Sequence, residues 1–100
     1  MAATPKNFYR GNLPTGMTVV YTVPAERQAV VTNIVATNDT TGSASIAVKL
    51  GGVLALANVG IASKGVLTVE MSQVLEAGDT IEVQGNANPA ATHISGVEVV

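Results

Sequence analysis

The stretch Val74–Asn86, "VLEAGDTIEVQGN", places three carboxylates, Glu76, Asp79 and Glu82, around an Ala-Gly-Asp turn. Acidic clusters of this kind can bind a metal or supply an acid/base pair, so the test is what each chemistry would need. A calcium site takes about six to eight converging oxygen ligands. Two turn acids, with Asp39 far off in sequence, fall short of that number. Acid/base catalysis needs two carboxylates held across a cleft with their pKa values pushed apart. Glu76 and Asp79 share one exposed turn, which gives no reason for such a shift.

The other reactive residue types are as sparse. His93 is the single histidine, set between Thr92 and Ile94 in strand-like sequence, and reads as a surface or edge residue. A Ser-His-Asp unit would need a serine on a strained turn and a buried acid, and no Gly-x-Ser-x-Gly occurs. "LGGVLALANVG" precedes no helix and matches neither phosphate-loop nor dinucleotide fingerprints. Cysteine is absent, which removes thiolate ligands, thiol nucleophiles and disulfides together. We therefore expect no catalytic residues, no metal, no cofactor and no enzymatic activity.

The elements that carry these residues read as strands. One hundred residues make one domain, with 47% hydrophobic residues but only three aromatics, Phe8, Tyr9 and Tyr21. Its core must be Val, Ile, Leu and Ala. Those are small side chains, and burial at a subunit interface would add to a thin margin. Five basic and seven acidic residues leave a net charge of −2 and no basic patch, so nucleic acid is not an expected partner. No run approaches the ~18 apolar residues of a membrane helix, and "MAATPKNFYRGN" lacks the apolar core of a signal peptide.

Apolar residues recur at period two between Gly- and Pro-rich turns. "MTVVYTV", "RQAVVTNIVATN", "ASIAVKL", "VLALANV", "GVLTVEMSQ", "TIEV" and "THISGVEVV" are the strand candidates. Gly51-Gly52 reads as a tight hairpin turn. In "DTTGS", Asp39 can bond back to the backbone and Gly42 can take positive φ. Ile46, Val48 and Leu50 share a core face, as do Leu67, Val69 and Met71, and as do Ile81 and Val83; Thr80, Glu82 and Gln84 alternate onto the wet face. Ile94 and Val97 break period two, so we expect a bulge at Ser95-Gly96 that returns both, with Val99, to the core. The strand at Arg27–Asn38 is apolar on both faces: Val30 and Ile34 on one, Val31 and Val35 on the other. That second face either meets another subunit or reflects the β-propensity of valine.

Seven or eight antiparallel strands at spacings of about 8–12 residues predict an all-β fold, a single β-sandwich that is jelly-roll-like. Residues 1–14 read as an N-terminal arm or added edge strand, and residues 15–100 as the sandwich. Phe8, Tyr9 and Arg10 are of the types enriched at binding hot spots. They are interface candidates beside Val31 and Val35, with the alternative that Phe8 and Tyr9 cap the sandwich.

"TVPAERQAVVTNIVATN" (Thr22–Asn38), "GIASKGVLTVEMSQVLEAGDTIEV" (Gly60–Val83) and "ISGVEV" (Ile94–Val99) together resemble, in order, a pattern of small virion proteins of tailed bacteriophages. That family includes capsid decoration proteins, head fibres and tail-associated parts. Its fixed points are Pro, Gly, Asn and apolar positions, which specify turns and core rather than a site. The chain departs from the family's "VPAGK" at Glu26-Arg27, which closes the turn without glycine. The resemblance implies a β-sandwich assembled on the virion in the host cytoplasm, commonly a homotrimer. The expected partners are further copies and the major capsid or another virion protein. The first expectation is a capsid decoration (cement) protein. A tail, collar or fibre component comes second, and a carbohydrate-binding module third, because sugar sites usually present exposed aromatics.

Overall fold

The computed structural model describes residues 3–100, and residues 1–2 of the predicted arm lie outside that range. Eight antiparallel strands form two four-stranded sheets, with no helix among the described residues. They are β1 (Ala3–Asn12), β2 (Thr18–Thr22), β3 (Gln28–Thr37), β4 (Ala44–Leu50), β5 (Val53–Ile61), β6 (Val66–Leu75), β7 (Thr80–Gln84) and β8 (Ala91–Val99). One sheet runs β1-β8-β3-β6 and the other β2-β7-β4-β5. The arrangement is all-β and sandwich-like. The predicted arm is the edge strand β1, paired along its length with β8.

The core is aliphatic. Val31 and Ile34 on β3, Ile46 and Val48 on β4, Ile81 and Val83 on β7, and Ile94 on β8 are all fully buried. Each such side chain contributes about 1.5–3 kcal/mol by leaving water. The expected core face of β4 and of β7 is the observed one. Leu50 and Val53 pair across Gly51-Gly52, whose φ values of 62° and 81° only glycine adopts freely, so this turn is the predicted tight hairpin.

The β3–β4 loop closes differently from the expectation. Asn38, not Asp39, bonds back: its side-chain oxygen accepts from the Thr40 N–H (3.0 Å) and its amide donates to the carbonyls of Gly42 and Ile61. Gly42 is not at positive φ. Asn38 is completely buried and ties this loop to the end of β5.

Two phase expectations are corrected. β8 keeps period two and carries no bulge: Thr92, Ile94, Gly96 and Glu98 point inward, while Val97 and Val99 face out. The extra residues sit in its neighbours instead. Phe8 on β1 is inserted opposite Ile94-Ser95, and Thr32 on β3 opposite Ser95-Gly96. The reason is steric. A Cβ on Gly96 would lie 1.9 Å from the Val30 carbonyl oxygen and 2.9 Å from Phe8 Cε2. Glycine vacates an inward position that the Phe8 ring then fills. On β3 the insertion of Thr32 flips the phase, so Val31 and Ile34 both point into the core, and Val30 and Val35 lie on the outer face.

Candidate functional site

The acids of the opening stretch are taken up by local structure. Asp79 accepts the Glu76 N–H (2.9 Å) and so closes its own turn, with Gly78 at φ 88° supplying the expected dihedral. Glu76 accepts two hydrogen bonds from the Gln28 amide, at 2.8 and 3.1 Å. Glu82 lies on the outer face of its sheet, in register between Val19 and Lys49. Among the described residues no three His, Cys, Asp or Glu side chains converge as metal ligands would. His93 is exposed on β8, and its Nδ1 accepts from Arg10 Nε at 3.1 Å.

The acid that the sequence reading missed is Glu98. It points between the sheets and is 5% exposed. One carboxylate oxygen accepts from the Tyr21 hydroxyl (2.5 Å), the other from the Arg27 guanidinium (2.7 Å), and Lys6 Nζ stands 3.9 Å away. The hydrogen bond from Tyr21, then that from Arg27, holds the Glu98 carboxyl below the usual glutamate range. Tyr21 is pushed up to about 12, by burial first and by the Glu98 carboxylate second. The cluster fastens β8 of one sheet to β2 of the other. All its polar groups are satisfied, and a fully paired buried carboxylate of this kind is a structural clamp. The only cue in the sequence is the conjunction of "ER" after Pro24 with the "GVEV" ending.

The predicted interface residues divide. Phe8 is buried, its ring 4.7 Å from that of Tyr21, so it is a core residue and not a surface contact. Val31 is likewise fully buried. Tyr9 packs half-buried against the core and donates to the Asn12 carbonyl at 2.6 Å. Arg10 is exposed, and Val35 is half-buried on the outer face.

Two surfaces lack cover. On the outer face of the β1-β8-β3-β6 sheet, Pro5, Val97, Val30 and Val74 stand in register and form an apolar row across all four strands. Val74 is 58% exposed. At the side of the molecule between β5 and β6, an apolar groove of about 350 Å³ is lined by Leu50, Leu54, Leu56, Val69 and Met71.

No protein-family model matches the chain, and comparison with curated proteins gives no match.

Proposed function

We propose that this protein is a structural part of a tailed-bacteriophage particle, a capsid decoration protein that binds the shell and adds burial across neighbouring capsid subunits. The fold is read as a single jelly-roll sandwich, because strands 1, 8, 3, 6 and 2, 7, 4, 5 alternate between two sheets in the manner of two Greek keys. The observation that carries the reading is the apolar row Pro5-Val97-Val30-Val74. It is an uncharged outer stripe, while Asp79 closes a turn and Glu98 forms the clamp. Such a stripe is what a part held by contact, rather than one acting by chemistry, presents to a partner.

The family resemblance supports the same reading residue by residue. Glu26, where the family pattern has glycine, takes φ 65°, a backbone region that glycine adopts freely. Arg27 of the "VPAER" turn meets Glu98 of the "ISGVEV" close. The resembling positions thus build turns and the inter-sheet clamp. The proposed partners are the major capsid protein, or another virion protein, and further copies of the chain, as a homotrimer on the virion. A place on the tail, collar or fibre is the alternative within the family. Sugar binding is the weaker reading, since Phe8 is buried against Tyr21, and Tyr9 and Tyr21 are each half-buried against the core.

The test is mass spectrometry of particles purified through a density gradient from the virus that encodes the chain. The proposal expects the chain in a fixed ratio to the major capsid protein. Loss of the chain during purification, with intact particles remaining, would overturn it.

A further inference from the structure

The two sides of the molecule, where the sheet edges meet, are built differently. On the β1–β2 side the gap is closed by the Phe8–Tyr21 ring contact, by Lys6 over the Tyr21 ring at 6.0 Å and by the Arg27–Tyr21–Glu98 clamp. On the β5–β6 side no aromatic or charged side chain lines the gap. Leu67, Val69 and Met71 take core-facing positions there but stay half-buried, and Val53 and Leu54 are 70% and 52% exposed. Half of a core is present at this side and its other half is missing.

We infer that the β5–β6 side is where copies of this chain meet, groove against groove. This deepens the homo-oligomer of the proposed function by naming its surface. Three observations select a second copy as the occupant. The side chains lining the groove are uncharged, with Gln73 the one polar side chain among the described residues, so none of them orients a charged partner. The groove is matched by the same apolar surface on further copies, so that copies related by one rotation axis bury it together. The area also suffices. Strands of 9 and 10 residues span roughly 30 Å. Two edges about 10 Å apart, with their flanking side chains, make the strip roughly 20 Å wide. That is about 600 Å² per copy, about a tenth of the 5164 Å² total surface. The pair would bury about 1,200 Å², the lower bound for a specific interface.

The contact is made by side chains rather than by a continuous sheet. β5 is free of charge and proline, unlike β1 with Pro5, Lys6 and Arg10, but its ladder to β4 is interrupted at Ala55 and at Ala57–Asn58. Asn58 takes φ 50°. Interruptions of this kind bend an edge away from open-ended strand addition while leaving its side chains free to pack.

The test is light scattering over a concentration series on the full chain and on two variants. The doubly substituted Val53→Lys/Leu54→Lys changes only exposed positions, so the fold should persist by far-UV circular dichroism. Val74→Lys places one such charge on the outer sheet face. We expect the unmodified chain at a multiple of 10.1 kDa, a two- to threefold fall in mass for the double variant, and no change for Val74→Lys. A monomeric unmodified chain at every concentration, or an oligomer that survives the double substitution while folded, would overturn the inference. A monomer that still binds particles would sink this surface and leave the virion reading standing. An oligomer dissolved by the double variant, in a chain absent from particles, would do the reverse.

Discussion

Glu98 is the residue on which local chemistry and fold meet. Its carboxyl is held below the ordinary value of 4.5, so the folded state binds fewer protons than the unfolded chain as pH falls. The stability it contributes is present above that ordinary value and is lost as pH drops through the lower, folded one. Tyr21 acts at the other end: its stabilisation is intact below 10.0 and is lost as pH rises toward about 12. Urea titrations should therefore show the midpoint falling below about pH 4.5, with a flatter acid limb in Glu98→Gln. An unchanged acid limb would mean that the clamp does not form. Gly96 sets a second residue-scale expectation. Any side chain there meets the Val30 carbonyl and the Phe8 ring, so Gly96→Ala should cost roughly 3 kcal/mol, the upper range of overpacking, as read from denaturant midpoints. Glu26→Gly should have the opposite sign. It relieves about 1–2 kcal/mol of left-handed strain and gives back part of it as glycine entropy, for a net gain of up to about 1 kcal/mol in the same assay.

At the scale of elements, period two was enough to locate every strand from β2 to β8, and β1 lay within the segment read as an arm or edge strand. The turn glycines at Gly51-Gly52 and Gly78 marked their hairpins. What period two could not carry was phase across an inserted residue. Val97 and Val99 look like core and Glu98 like surface, yet β8 is oriented the other way. The compensation for burying Glu98 comes from Lys6, Tyr21 and Arg27, all more than 70 positions away, and local sequence does not display it. Val30 and Val31 exchanged roles for the same kind of reason, because Thr32 is an insertion between two regular stretches and not a member of either. The strand phase that the structure does share with the sequence reading gives a graded prediction. Val83→Asp buries an unpaired charge at a fully closed site and should cost about 3–5 kcal/mol, enough to unfold a marginal domain. Leu67→Asp, half-buried at the β5–β6 side, should cost less, and Glu82→Ala should fall within about 0.5 kcal/mol of the unmodified chain. Thermal melts ranking Glu82→Ala alongside Val83→Asp would contradict the assignment of faces on β7.

At the scale of the whole molecule, the distribution of apolar surface is lopsided. One side is sealed by rings and a clamp. The opposite side and the row Pro5-Val97-Val30-Val74 are left to something outside the chain. We propose contact as the role of these surfaces, with copies of the chain on one side and a shell beneath the other. The most direct test adds the purified chain to expanded capsid shells assembled without it and follows both bound stoichiometry and the temperature at which shells rupture. The account predicts saturable binding at a ratio fixed by the symmetry of the shell, a higher rupture temperature, and loss of both when Val30 and Val74 are replaced by Lys in a chain that remains folded. Shells that neither bind the chain nor gain resistance to heat would contradict it.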